Sequence, residues 1–430
     1  MSIAVRPSFA DLVSVFLKVG LLGFGGPAGQ IALMHRMIVE ERRWLDEERY
    51  LAALNFSMLL PGPEAQQLAT YVGWHLHGVR GGVAAGLLFV LPGFVIITVI
   101  AAVYAAYGDV PMVAALFYGL KAAVLAIVVE ALVRIARRAL GSGFAYGLAA
   151  AAFVAIYALH VPFPLIVLGA AVIGAIRGGA ANGVSLPPPA RRPGFGHTLR
   201  TAATWVAVWG ALPLALALLT GFDGIFARLG AFFSTMAVVT FGGAYAVLAY
   251  VAQAAVETEG WLSAREMLDA LAMAETTPGP LILVLVFVGY LAGFRNAGGL
   301  DPVVGGLLGA LVTGWVTFAP SFLWIFVGAP YVDAIIRSPR LKAALSAVTA
   351  AVVGVILNLS VWFALHVLFR EVPRTPVGPF NLDLPVLASV DGTAVALSAV
   401  SAVLVFGLKA PLWVTLTTAA ALGLLAHAVS

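Results

Sequence analysis

Two tripeptides interrupt long apolar stretches of this chain, and both destroy a helix where the flanking residues would build one. Pro61-Gly62-Pro63 and Pro278-Gly279-Pro280 each place two prolines around a glycine, which removes two backbone donors and stops an α-helix. The helix that restarts after such a break presents unpaired N–H groups and a partial positive charge. Such an end can hold an anion without a buried cationic side chain. The helices expected after Pro63 and Pro280 offer these ends, as do those following Gly26 and Gly243 in the motifs Phe24-Gly25-Gly26-Pro27 and Phe241-Gly242-Gly243. One such motif alone also reads as a kink or as close helix packing through small residues. The recurrence of both motifs favours a binding site, with Thr277 leading into the second break.

A few polar side chains could complete that chemistry. Lys18 and Lys121 each lie within an apolar run and could compensate a doubly charged anion, although a lysine there can also snorkel to an interface. Gln66 and Gln67 could donate hydrogen bonds from the half-helix after the first break, or simply face a polar crevice. Glu64 follows the first Pro-Gly-Pro directly, whereas Leu281 occupies that place in the second. A carboxylate beside an anion site repels the substrate when ionised, so Glu64 is the candidate proton-coupling group. Glu130 is nine residues from Lys121, not on the adjacent turn, so a direct pair is not implied. His75 and His77 do not share a helical face and claim no metal. The stretch from Arg36 to Arg49, with four arginines and five acids, reads as a solvated amphipathic segment.

The elements that must position these residues are membrane spans. Of the 430 residues, 62% are hydrophobic and only 10% charged. A soluble domain carries roughly 25% charged residues. Several stretches of about 20 apolar residues are each long enough to cross a hydrocarbon core of roughly 30 Å as a helix. The alternating ten-residue segments of an outer-membrane barrel are absent. With no cysteine, disulfides and thiolate chemistry are excluded. Asp11 and Lys18 interrupt the first apolar run, so the N-terminus is not expected to be a cleaved signal peptide.

The breaks belong to an internal duplication. Phe24-Gly25-Gly26, Trp44-Leu45 and Pro61-Gly62-Pro63 all recur at an offset of 217 residues. With small insertions the register continues, from Pro92 to Pro320 and from Leu120-Lys121-Ala122-Ala123 to Leu341-Lys342-Ala343-Ala344. Expected half-helices are 52–60 with 65–74 and 270–276 with 281–290; expected spans include 82–106, 111–133, 143–160, 163–176 and 343–366. Arg134, Arg137, Arg138, Arg177 and the basic linker lie inside by the excess of Lys and Arg in cytoplasmic loops. Arg337, Arg340 and Lys342 then start the 343–366 span from inside, whereas its counterpart starts outside. The copies are therefore inverted, flipped by one extra span at 201–220. The organisation read from the chain is a first membrane repeat (1–177), a cytoplasmic Pro/Gly-rich basic linker (178–200), a connecting transmembrane helix (201–220) and an inverted second repeat (221–430). The fold class is all-α: a polytopic integral membrane protein of two inverted repeats with broken or re-entrant half-helices.

With these residues in place, the chain resembles the chromate ion transporter family in its long, two-domain form. Phe16-Leu17-Lys18-Val19-Gly20, Phe24-Gly25-Gly26-Pro27, Trp44-Leu45, Leu60-Pro61-Gly62-Pro63 through Gln67-Leu68-Ala69 and Gly73, and Phe89 to Gly93 carry the resemblance in the first half. Phe241-Gly242-Gly243, Gly260-Trp261-Leu262, Thr277-Pro278-Gly279-Pro280 and Phe318 to Phe322 carry it in the second. The resemblance implies export of chromate from a bacterial cytoplasm by a secondary transporter driven by an ion gradient. Sulfate is likewise a tetrahedral dianion, and the same donors would bind it. The second copy has Ala244 after Gly243 in place of a proline, and no acid after Pro280, so the two copies are not expected to form equivalent sites.

The expected mechanism is alternating access of the inverted halves, with the oxyanion held at the half-helix N-termini. An anion-selective channel using the same ends is the alternative of another class. No paired catalytic carboxylates, nucleophile elbow or P-loop points to an enzyme or an ATP-driven pump. No cofactor or metal is called for. The partners are the oxyanion, membrane lipids and an unnamed coupling ion, with a homodimer left open. The expected location is the inner membrane, with N-terminus and linker cytoplasmic and C-terminus periplasmic.

Overall fold

The computed structural model describes residues 7–24, 26–108, 110–178, 194–241, 244–332, 338–377 and 380–429. Apolar helices dominate it. In the first repeat these are α1 (Phe9–Leu22), α2 (Gly26–His35, running on as a wide π turn Arg36–Glu41), α3 (Glu47–Leu59), α4 (Glu64–Tyr107), α5 (Pro111–Ala139), α6 (Gly143–Tyr157) and α7 (Phe163–Gly178). Next comes α8 (Phe195–Thr220), which starts six residues earlier than the connecting span expected at 201. The second repeat has α9 (Ile225–Val239), α10 (Ala244–Gln253, running on as a π turn Ala254–Thr258), α11 (Ala264–Thr276), a 3-10 turn Leu281–Leu283, α12 (Val284–Arg295), α13 (Pro302–Gly328), α14 (Pro339–Leu368), α15 (Gly392–Ala402) and α16 (Leu412–Val429). Among the described residues, five helices are long and apolar enough to cross a membrane. With its further short apolar helices, the chain is a multi-pass membrane protein.

The duplication is visible in the element boundaries. Shifting α3 by 217 residues gives the bounds of α11, and the α1 and α2 bounds map onto α9 and α10 to within one residue. The local chemistry repeats too. Asp46 caps α3 by accepting from Arg49 N, and Ser263 caps α11 in a capping box with Glu266. The Trp44 amide donates to Ile38 O at 2.8 Å, and the Trp261 amide to Ala255 O at the same distance. Most of the linker expected at 178–200 lies outside the described residues. A two-stranded hairpin, Arg374–Val377 against Phe380–Asp383, departs from the all-α expectation. Pro373, Pro376 and Pro379 forbid a helix there.

Packing divides the chain into two compact units, each drawing on both repeats. The first takes its described residues from 1–101, 173–244 and 277–345, and the second from 102–172, 245–276 and 346–430. Within the first unit, α4 is two helices. His77 and Gly78 are non-helical, with Gly78 at φ 64°, and the chain reverses there. The two arms pack through glycines: a Cβ at Gly73 would stand 2.2 Å from Gly81 O. The pair α12 and α13 repeats this arrangement through Gly289 and Gly309. Within the second unit, α5 packs on α16 at Gly119, where a Cβ would stand 2.0 Å from Ala419 O.

The first repeat's broken segments fold back on themselves. Arg49 at the start of α3 lies 3.4 Å from His75 at the end of the first arm of α4, so these helices run antiparallel with the Pro-Gly-Pro at their tip. Phe9 at the start of α1 packs edge-on against His77, and His35 at the end of α2 contacts Glu47 at 2.7 Å. All four helix ends therefore gather on one side, and both breaks lie at the other. Each arm is about 20 Å long, short of the roughly 30 Å core. Charge counting could not distinguish such re-entrant hairpins from full crossings, because both return the chain to the face it left.

Candidate functional site

The site is built where the breaks of the two repeats meet, wholly within the first unit. Gly62 adopts φ 111° and Gly279 φ 99°, the left-handed side of the map that only glycine visits freely. Each turns its amide toward the other repeat. Gly62 N donates to Thr240 O at 2.8 Å, and Gly279 N donates to Gly23 O at 3.0 Å. The same 217-residue shift relates both donors and both acceptors, so the two bonds are one contact made twice. The acceptors are carbonyls at the C-terminal ends of α1 and α9, which lack helical partners of their own.

Behind each break stands the long helix of the other repeat. Gly93 on α4 meets the second break, with a Cβ there falling 2.3 Å from Pro278 O. Ser321 on α13 stands by the first break, its Oγ 3.5 Å from where a Gly62 Cβ would sit. Gly93 lies roughly 21 Å along the 79–107 arm, near its middle. The second break is thus held against the middle of a span-length helix.

A small cavity of about 20 Å³ remains between the breaks, room for a water molecule. Its walls are Pro27, Gln30, Gly62, Pro63, Glu64, Ala65, Thr240, Pro280, Leu281 and Ile282. Two proline-led helix starts converge on it. On one side Gln67 N is the first amide bonded back into the turn, to Pro63 O, so the amides of Glu64 and Ala65 have no acceptor within the helix. On the other, Leu283 N bonds to Pro280 O, and the amides of Leu281 and Ile282 precede it. Two helix starts therefore border one cavity, and the dipole at a helix N-terminus favours negative charge. Glu64 is the single acidic side chain lining it.

The glutamines have distinct roles. Gln67 Nε2 donates to Pro61 O at 2.6 Å and Gln66 Nε2 to Phe318 O at 3.3 Å, so both brace the break rather than line the cavity. Gln30 lines it. This buried side chain donates from Nε2 to Gly23 O at 3.1 Å and to Gly279 O at 2.6 Å, tying α1 to the second break. Its Oε1 has no partner among the described residues. Gln30 was not picked out in the sequence, although a glutamine one turn into an apolar half-helix was a usable signal. Thr240, Gly93 and Ser321 were missed as well, and only their neighbours across the repeat give them a role.

The remaining sequence candidates scatter. Pro27, Gly62, Pro63 and Pro280 line the cavity, while Pro61, Thr277, Pro278 and Gly279 form the adjoining turns. Gly26, at φ 67°, starts α2. Gly25, Gly242 and Gly243 lie outside the described residues. Lys18 is exposed on α1, off the buried face of Leu12, Val15, Phe16 and Val19, and does not line the pocket. Lys121 belongs to the second unit, where it pairs with Asp269 at 3.0 Å. Glu130 pairs with Arg134 one turn on, at 3.4 Å. Among the described residues no cluster of His, Asp and Glu could hold a metal ion.

Known proteins place the chain in a family. The family model described as chromate transporter matches residues 10–175 and 227–424, one segment in each repeat. The chain is 33% identical to a chromate transport protein of Pseudomonas aeruginosa over 87% of its length and 86% of the relative's. It is 30% identical to the chromate transport protein of Cupriavidus metallidurans, covering 83% of each chain. A probable chromate transport protein of Synechococcus elongatus is also 30% identical, over 82% of this chain and 84% of that one. These relatives are named as transporters, not as enzymes. No solved structure matches the chain. With both repeats matched and relatives aligned along most of its length, the chain belongs to the chromate transporter family.

Proposed function

We propose that this protein is a secondary transporter that exports chromate, or a similar tetrahedral oxyanion such as sulfate, across the bacterial inner membrane by alternating access. The observation that carries the reading is the reciprocal pair of bonds, Gly62 to Thr240 and Gly279 to Gly23, which brings two helix starts to one pocket. Family membership supplies the substrate class. The pocket's four leading amides, at Glu64, Ala65, Leu281 and Ile282, supply donors for oxyanion oxygens.

At about 20 Å³ the pocket is too small for a tetrahedral oxyanion, so binding requires the two breaks to separate. Separation stretches the two reciprocal bonds, and closure re-forms them. Opening alternately toward each face gives transport. Glu64 on the wall opposes a dianion when ionised and tolerates it when protonated, which links proton occupancy to substrate occupancy. In this reading the N-terminus and the 178–200 linker are cytoplasmic and the C-terminus periplasmic, as the Arg and Lys distribution directs.

Counterflow in proteoliposomes tests the class. Preloaded unlabelled chromate should accelerate uptake of labelled chromate through a carrier. Equal rates with and without preloading would establish a channel instead. Gly62→Leu and Gly279→Leu should each abolish chromate resistance while the protein still reaches the membrane. Resistance at the parent level in both would remove the breaks from the site.

A further inference from the structure

The second unit contains a cavity of about 580 Å³ that the proposed transport site does not use. Tyr118, Lys121, Arg265, His366, Arg370 and Asp391 supply its polar lining. At the back, Lys121 Nζ lies 3.0 Å from Asp269 Oδ1, with the two side chains only 11% and 2% exposed. Tyr104 OH donates to the other oxygen of Asp269 at 2.7 Å. We propose that this cavity is a second oxyanion-binding site, in which Lys121 exchanges Asp269 for a tetrahedral dianion while Asp269 takes up a proton.

The lining favours an anion. Three basic side chains, Lys121, Arg265 and Arg370, face one lining carboxylate, Asp391. Asp391 is already committed: it accepts from Tyr118 OH at 2.8 Å, caps α15 through the amides of Thr393 and Ala394, and lies 3.4 Å from Arg370 Nε. Arg265 is exposed at the rim and joins no ion pair among the described residues. Lys121 is the buried cation, and Asp269 is its carboxylate partner. A dianion arriving at Lys121 competes with that carboxylate, and a buried carboxylate that loses its cation is costly. One proton taken up from the bulk solution forms an O–H bond on Asp269, and Tyr104 keeps its hydrogen bond to the acid. Tyr104 and Lys121 contact Asp269 directly, and Arg265 and Glu266 sit on its own helix. Binding therefore strengthens as pH falls.

The pair takes one member from each repeat, and the reciprocal pair is not made. The 217-residue shift puts Ala52 at the place of Asp269, and the counterpart of Lys121, Lys342, is exposed. The site thus adds a function that the duplication did not carry, and it stands whether or not the Pro-Gly-Pro pocket binds substrate.

The test is equilibrium binding of radiolabelled sulfate to the purified full-length protein in detergent, at mildly acidic and mildly alkaline pH. Sulfate stays a dianion at both. Binding is measured in a Gly62→Leu background, which removes the first unit's pocket and isolates this cavity. The Gly62→Leu protein should still bind sulfate, more tightly at acidic pH. Adding Lys121→Met should lower affinity roughly tenfold or more, the loss of one charge-assisted hydrogen bond, and Lys121→Arg should largely restore it. Asp269→Asn should bind at both pH values with the same affinity. If Lys121→Met is not monodisperse, the rim variant Arg265→Gln decides, with affinity expected to fall several-fold at low salt and little at high salt. Loss of all sulfate binding in a monodisperse Gly62→Leu protein would overturn the proposal. So would unchanged affinity in Lys121→Met or, where that variant fails, in Arg265→Gln, or the parent's pH dependence in Asp269→Asn.

Discussion

Gly93→Ala probes the contact between repeats with a single methyl group. Gly93 sits in a regular helix, so alanine there costs nothing in backbone conformation and slightly favours the helix. The whole effect comes from space. The new Cβ would fall 2.3 Å from Pro278 O and 2.6 Å from Leu283 Cδ1. Leu283 can rotate away, but the carbonyl can retreat only by moving the second break. To reach even 3.0 Å, the shortest separation real Cβ atoms keep, the break must shift by about 0.7 Å. That shift strains the bond from Gly279 N to Gly23 O, at 3.0 Å, and the one from Gln30 Nε2 to Gly279 O, at 2.6 Å. Overpacking of this kind costs about 1–3 kcal/mol, and each weakened hydrogen bond about 0.5–1.5 kcal/mol. A loss of about 1.4 kcal/mol at the site already means a tenfold change. Gly93→Ala should therefore lower chromate uptake into everted membrane vesicles at least tenfold, at an unchanged protein level. Gly147→Ala, a helix position with open space around its Cβ, is the matched control and should transport normally. Uptake by Gly93→Ala within twofold of the parent would refute the claim that the second break must sit against α4.

Other substitutions separate the roles within the pocket. Gln30→Leu leaves Gly279 O without its side-chain donor and should destabilise the pocket by about 1–3 kcal/mol, the cost of an unsatisfied buried acceptor. A tenfold or larger fall in transport at normal membrane abundance is expected, and normal transport would show that the tie is dispensable. Glu64→Gln fixes the wall group in its neutral form. With sulfate as the probe ion, the parent should transport better as pH falls, because the ionised acid opposes the dianion, and the variant should show a flat profile at the parent's acidic-pH rate. An unchanged profile would remove Glu64 from coupling. Ser321→Gly deletes the side chain facing the first break and should be nearly silent, since that break already accommodates more than a glycine opposite it. A loss as large as that of Gly93→Ala would show that the two breaks are packed alike.

Much of the architecture was legible from local properties of the chain. Long apolar runs must be helices in a bilayer, because each backbone polar group needs a partner within its own segment. Two prolines around a glycine must end a helix wherever they fall, so the breaks could be placed to the residue. A duplication needs no structure to detect, and the shared 217-residue register carried over to caps, π turns and helix ends. The hairpin at 374–383 was missed because strand pairing depends on a partner strand rather than on periodicity.

What local sequence could not determine was which distant groups would meet. Lys18 and Lys121 look alike in the chain, each a cation in an apolar run. Lys18 lies on the exposed side of α1, whereas Lys121 meets a carboxylate 148 residues away. Neither outcome is written in the spacing around the lysine, because burial of a charge depends on the partner that folding delivers. The same holds for Gln30, whose two acceptors include a carbonyl 249 residues distant. Sequence alone determined that this protein has two copies of a broken-helix unit whose free ends suit an anion. Only the tertiary structure decided that each copy's glycine bonds to the other copy, because a backbone donor freed by a break takes whichever acceptor the fold brings within reach.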